Sequence, residues 1–458
     1  MTYFDHHLCH AASAYYTSGY HDALVITADG AGDGRSATAH TVINGVWTEI
    51  SSTSLPHSPG HMYAWATRLL GYKVGRHEGK LTGLASYGDT SHVKQLGGQL
   101  LQYTTDSKSF LNPYLHDGNY ISFTDKLRCL LNNEAVYPSY EAFRRLVGKY
   151  YGKNFRPEDI AAIAQIELER AVTAWVSDLV NKTGLTHVAL AGGIFANVKL
   201  NQQIEAIPET KKVWIFPDMG DGGLSVGAAY LQLNSQKTIS SRPLENVYLG
   251  PKFNGDQILA ACKDANLHVT KQAENLAQET AKLLADGVIV GWFQGRMEFG
   301  PRALGHRSIL LHPGRREMNQ VINKRLNRTE FMPFAPSVLE EYKNDLFSGG
   351  GKSEHASQFM TITYDVNPEW IDRLAAVVHI DNTARPQVVY KGKETLYWSV
   401  IDEFRKLTGL PAIVNTSFNM HEEPIVCTPE DAIRSYLHGA VDVLVLGDYI
   451  VRKGSGDF

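Results

Sequence analysis

Apolar positions along the chain fall into short runs and amphipathic repeats, and their alternation predicts most of the elements. Residues 5–17 have the signature of a helix: Asp5 is its N-cap, Ala11-Ala12-Ser13-Ala14 lies within it, and Gly19 closes it. Ala23 to Ala28 is a continuous apolar, β-branched run, hence a buried strand. It leads into a glycine-rich turn, Asp29-Gly30-Ala31-Gly32-Asp33-Gly34. Residues 159–183 carry a helical period that stops near Gly184. Two strand–glycine–helix units follow. Val188 to Leu190 runs into Ala191-Gly192-Gly193, and Val213 to Phe216 runs into Asp218-Met219-Gly220-Asp221-Gly222-Gly223. This alternation is the α/β pattern, in which ligands bind in the loops at the carboxyl ends of strands. The polar stretch 234–246, with Ser240-Ser241 and Pro243, reads as a linker, giving domains 1–233 and 247–458. In the second domain Leu276 to Leu284 is helical in pattern, while Val288 to Phe293, Val388 to Tyr390 and Ala412 to Val414 are strands.

Composition narrows the class. A length of 458 residues exceeds one ordinary core, and 43% hydrophobic with 20% charged residues describes a folded chain. The net charge of −4 argues against nucleic acid as the main partner. Four cysteines without CxxC spacing fit a reducing, cytoplasmic setting, and no apolar run has the length of a membrane span.

Two constellations carry chemistry. His6 and His10 stand at i and i+4, so a helix projects both from one face, close enough to share a metal. His57 and His61 repeat the spacing, but Pro59-Gly60 between them forbids a helix, so that pair is read as a loop. Asp29 and Asp221 each follow a strand within a glycine loop, where a carboxylate can take a metal. Two imidazoles with two carboxylates suit iron, zinc or manganese. The second constellation spans Arg296 to Arg328, where eight basic residues face only Glu298 and Glu317. In an acidic chain that local excess calls for an anion, and guanidinium groups suit phosphate.

The segments HHLCHAASAYY, ITADGAGDG, HEGKLTGLASYGD, AGGIFANVKLN and FPDMGDGGLSVGAAY, with WFQGRMEFGPRALGHRSIL, NRTEFMPFAPSV, DNTARPQVV and NTSFN, occur in that order. Together they resemble the carbamoyltransferase family of nodulation protein U and cephalosporin O-carbamoyltransferase over essentially the whole chain. The resemblance implies an actin-like ATPase-type (ASKHA) first domain, truncated at its start, and a YrdC-like α/β second domain. It implies a divalent metal, usually iron, on His6, His10, Asp29 and Asp221, with Gly192, Gly193 and Asn197 against the nucleotide. It assigns ATP, carbamoyl phosphate and the carbamoyl-adenylate to Arg302, Arg307, Lys324, Arg328, Arg385, Asn415 and Ser417. The expected activity is formation of carbamoyl-adenylate and transfer of the carbamoyl group to a hydroxyl of a small metabolite, with residues 88–160 shaping the acceptor pocket.

One departure opens a second reading. Relatives of this kind begin with a strand and a His-Asp-Ala-Ser segment ahead of the HHxxH helix, and the sequence here lacks it. On that reading either the sequence is a fragment with a wrongly placed start, or the chain is expected to be a half-functional subunit whose missing lobe comes from a partner polypeptide. A threonylcarbamoyl-type tRNA-modifying enzyme is a third reading, disfavoured by the lack of a basic surface outside the arginine cluster. A sugar kinase of the actin-like superfamily leaves the second domain unexplained.

Overall fold

The computed structural model describes residues 2–115, 137–271, 274–326 and 332–452. It is mixed α/β and divides into two compact units, Met1–Leu244 and Glu245–Phe458.

The first unit begins with α1 (His6–Ser18), whose start and stop are both set locally. The Asp5 carboxylate accepts from the Leu8 amide at 2.8 Å, and Gly19 ends the helix in the left-handed conformation at φ 75°. Strands β1 (Ala23–Gly32), β2 (Arg35–Ile43) and β3 (Val46–Ser54) form an antiparallel meander. Asp33-Gly34 and Asn44-Gly45 make its two turns. All four residues have positive φ, as type I′ hairpins demand, which is why Asx-Gly stands at both. The sequence reading ended the first strand at Ala28. The strand continues to Gly32, but its register with β2 slips between Ala28 and Gly32, so the Asp29–Ala31 backbone bulges out of the ladder.

Next come α2 (Pro59–Leu69), the 27-residue α3 (Pro157–Thr183), β4 (His187–Ala191), α4 (Val198–Ala206), β5 (Lys212–Ile215) and α5 (Leu224–Gln236). The sheet order is β3-β2-β1-β4-β5, with β4 and β5 parallel to β1. Helix α2 corrects the expectation that His57 to His61 is a loop. Pro59 occupies the first helical position, where its missing N–H costs nothing, and the Ser58 hydroxyl caps the His61 amide at 2.9 Å. His57 stays outside the helix, so the two histidines do not share a face.

Helix α1 is buried along nearly its whole length because it packs against β1, β4 and α5. At the crossing with α5, a Cβ on Gly227 would run into the Cys9 carbonyl. Gly227→Val is therefore expected to destabilise this unit by about 2–3 kcal/mol, the cost of overpacking a close helix crossing. Urea denaturation measures it, and a shift below about 0.5 kcal/mol would contradict the close-approach argument.

In the second unit eight strands form one mixed sheet. They are β6 (Val269–Lys271), β7 (Val290–Phe293), β8 (Arg307–Leu311), β9 (Ala335–Leu339), β10 (Gln387–Val389), β11 (Ala412–Ser417), β12 (Val443–Leu446) and β13 (Tyr449–Arg452). Their order is β10-β9-β11-β8-β7-β12-β13-β6. Alternate residues feed different cores. Ile309, Leu311, Leu444 and Leu446 pack with residues of α6 (Gly255–Asp264) and α9 (Pro429–Leu437). Leu310, Val443 and Val445 pack with α7 (Leu276–Ala285) and α8 (Thr395–Thr408). Both faces are thus covered, which explains why these strands read as unbroken apolar runs.

Candidate functional site

Register assembles the first site. Thr27 of β1 lies opposite Ala191 of β4, and Leu190 opposite Ile215 of β5. Asp29, Gly193 and the loop holding Asp221 therefore all lie just beyond the last parallel-paired residues of neighbouring strands. The Gly193 amide donates to the Asp29 carboxylate at 3.2 Å, and Gly30 donates to it at 2.6 Å. Gly192, at φ 104°, passes so close to the Ala28 carbonyl that no Cβ would fit. Helix α1 lays His6 and His10 over this edge, and the His6 ring occupies the space a Cβ on Gly32 would need.

His6, His10, Asp29 and Asp221 each offer a ligand atom, all within 4.8 Å of one another. His10 Nε2 lies 3.1 Å from Asp29 Oδ2 and 3.6 Å from Asp221 Oδ1; for His6 Nε2 the distances are 3.8 and 3.7 Å. A metal with bonds of about 2.1 Å holds its donors about 3–3.5 Å apart, so this spacing needs little adjustment. His6 Nε2 is buried without a hydrogen-bond partner. An unmade bond at such an atom is costly, and a metal would satisfy it. The residues fit a divalent first-row ion.

Burial works to raise the Asp29 pKa, but the imidazoles of His10 and His6 and the Gly30 amide outweigh it. The group stays far below the ordinary carboxylate range. The same carboxylate raises the His6 pKa. His7 points the other way, with Nδ1 bonded to the Thr27 hydroxyl at 2.8 Å, and burial pushes its pKa down to about 4. It is not one of the four clustered residues. Asp221 is the exposed member of the four, with 72% of its side chain accessible against none for His10, so the cluster opens on the Asp221 side.

Sequence reasoning missed Asp33, whose carboxylate accepts from the His6 amide at 2.9 Å, and Asp218, half-buried against Gly222 in the Asp221 loop. Burial raises the Asp218 pKa. Both lie within quoted motifs, but only the fold shows what they touch. Asn197 stands at the N-cap of α4. Its amide oxygen caps α4 at Leu200 and accepts from Gln165, and its nitrogen donates to Gln165 at 2.8 Å.

In the second unit the arginine cluster divides. Arg302 and Arg385 are half-buried and Lys324 is exposed on the helix Glu317–Arg325. Ser417, half-buried, ends β11. Arg328 lies outside the described residues. Arg307 does not belong to a phosphate site. It is fully buried, its terminal nitrogens donate to the carbonyls of Gln294, Gly295, His306 and Pro251, and it stacks 3.6 Å from the Phe293 ring centre. Burial lowers its pKa to about 10. Asn415, only 1% exposed, donates from Nδ2 to the Ala303 carbonyl at 3.2 Å, the Ser337 hydroxyl at 3.1 Å and Gln387 Oε1 at 2.9 Å, while its Oδ1 is buried without a hydrogen-bond partner.

Among the described residues no helix is long and apolar enough to cross a membrane. Of the expected acceptor region, residues 116–136 fall outside the described part.

Comparison with known proteins gives the family. A family model described as carbamoyltransferase N-terminus matches residues 1–230, and one described as carbamoyltransferase C-terminus matches residues 281–453. The chain is 34% identical to the uncharacterized protein sll1178 of Synechocystis, over 98% of this chain and 76% of that protein. It is 33% identical to the uncharacterized protein MJ1051 of Methanocaldococcus jannaschii, over 98% and 83%. To nodulation protein NolO of Bradyrhizobium diazoefficiens it is 34% identical, over 98% and 79%. The chain belongs to the carbamoyltransferase family and is a transferase enzyme.

Proposed function

We propose that this chain is an O-carbamoyltransferase that forms carbamoyl-adenylate from carbamoyl phosphate and ATP and passes the carbamoyl group to a hydroxyl of a small metabolite. The observation that carries the reading is the gathering of His6, His10, Asp29 and Asp221 just beyond the last parallel-paired residues of neighbouring strands. The meander followed by two parallel strands supports an actin-like ATPase-type first unit, and the mixed sheet covered on both faces supports a YrdC-like second unit.

The chemistry runs in three balanced steps. Water releases phosphate from carbamoyl phosphate and leaves carbamate. A carbamate oxygen attacks the α-phosphorus of ATP, giving carbamoyl-adenylate and pyrophosphate. The acceptor oxygen attacks the carbamoyl carbon, AMP departs, and the hydroxyl proton is lost to solvent or a base. Arg302 and Arg385 would neutralise charge developing on the phosphates, a contribution of about 3–4 kcal/mol for a preorganised donor. Bound at the four ligands, an iron, zinc or manganese ion would supply Lewis acidity toward the carbamoyl oxygen or the acceptor. Asp29 holds the His10 ring at 3.1 Å, and the Gly193 and Gly30 amides hold Asp29.

The test is pyrophosphate release from ATP without any acceptor. Release that depends on carbamoyl phosphate supports the adenylation step. None from a folded, metal-loaded chain would refute it for this chain acting alone.

A further inference from the structure

Between β7 and β8 the backbone from Gln294 to His306 has no regular structure, and this is where Arg302 sits. A loop of that length needs its polar groups satisfied from elsewhere. Here buried side chains do it. One carboxyl oxygen of Glu298, a residue only 6% exposed, accepts the backbone N–H groups of Leu304 at 2.7 Å, His306 at 2.8 Å and Arg307 at 3.1 Å. The carbonyls are held from the other side. Gln387 donates to Leu304 at 2.7 Å, Trp292 to Gly305 at 2.7 Å, and Asn415 to Ala303. Gly300 and Gly305, at φ 115° and 98°, permit the tight path.

Three N–H groups converging on one oxygen make a backbone nest of the kind that binds anions. In this molecule the occupant is the protein's own carboxyl group. We infer that Glu298 is a positioning residue that fills this nest and thereby fixes the loop presenting Arg302 to the phosphates. It does not touch the reacting atoms. Its Oε1 accepts the three amides, while its Oε2 is buried without a hydrogen-bond partner. The clamp therefore needs an oxygen in the nest rather than a reactive carboxylate. The inference rests on the adenylation reading for its catalytic consequence but not for its structural one.

Two readouts separate those parts. Amide exchange over residues 302–307 should be strongly protected in the wild type, accelerated at least about tenfold in Glu298→Ala, and slowed again by millimolar formate entering the vacated nest. In pyrophosphate release, Glu298→Ala should lower kcat about 10²-fold, as misplacing a catalytic group does, with a smaller change in the KM for ATP. Glu298→Gln keeps a carbonyl oxygen for the nest and should stay within about tenfold of the wild type, which a general loss of folding would not spare. Formate should restore part of the Ala variant's rate. Unchanged exchange in Glu298→Ala overturns the clamp whatever the enzyme does. If Glu298→Ala does not fold, Glu298→Gln decides: a folded but inactive Gln variant overturns a purely positioning role. Changed exchange with no pyrophosphate release from the wild type leaves the clamp standing and refutes the adenylation reading instead.

Discussion

His6→Ala should cost at least about 100-fold in metal affinity, because loss of mere outer-shell partners already costs 10–100-fold. Carbamoyl transfer should fall with it, while carbamoyl-phosphate-dependent pyrophosphate release remains. His6 is the proposed ligand best suited to this separation. Its ring reaches the cluster from the first turn of α1, and its amide, not its ring, is bonded to Asp33. Removing the ring therefore leaves the cap of the helix intact. Asp29 would be a poorer choice, since its carboxylate also receives the Gly30 and Gly193 amides and its loss would disturb the strand edge. Asp221→Ala, at an exposed position, should repeat the His6 result.

Metal content after dialysis and a chelator titration read the first part, and AMP formed with hydroxylated acceptors reads the second. Protons should compete with the metal. Asp29 raises the His6 pKa, so this imidazole is protonated at a higher pH than an ordinary one, and affinity should begin to fall at correspondingly higher pH on acidification. A His6→Ala protein that keeps its metal would remove His6 from the ligand set. One that loses pyrophosphate release as well would show that the two chemistries are not divided as proposed.

The parts of this site legible from sequence were those written in local patterns. The i, i+4 spacing of His6 and His10 within a capped helix, and Asp29 and Asp221 after apolar runs, needed only periodicity and turn chemistry. Their meeting did not follow from any of these patterns. It depends on β1 pairing with β4 across more than 150 residues, at the register that sets Thr27 against Ala191. Asp33-Gly34 reads as a turn from sequence and Asn44-Gly45 is as local a signal, but the bulge that turns Asp29 out of the ladder is visible only in the register of β1 with β2. Pro59 was misjudged for a different reason: proline breaks helix interiors, yet suits a first turn.

The arginine cluster shows where reading from charge fails. Arg307 and Arg302 look equivalent in sequence, but one faces inward along β8 and spends its donors on carbonyls, and the other sits in the loop. Burial, which charge does not reveal, separates the scaffold from the ligand candidates.

That separation makes Arg302→Ala the second decisive variant. The expected loss is about 10²–10³-fold in pyrophosphate release, the usual consequence of removing one preorganised donor from a developing charge. Carbamoyl transfer should fall by the same factor, because no adenylate would be made to supply it. The pattern is the reverse of His6→Ala, which spares the first step and stops the last. Arg302→Lys should recover little of the rate, since a single ammonium cannot reproduce the bidentate, planar donation that phosphate oxygens accept. A kcat that drops while the KM for ATP holds would place the interaction in the transition state, and a raised KM alone would make Arg302 a binding residue. A wild-type rate in the folded Arg302→Ala protein would transfer the assignment to Arg385, also half-buried and expected at the phosphates, and leave the Glu298 clamp without a catalytic arginine to present.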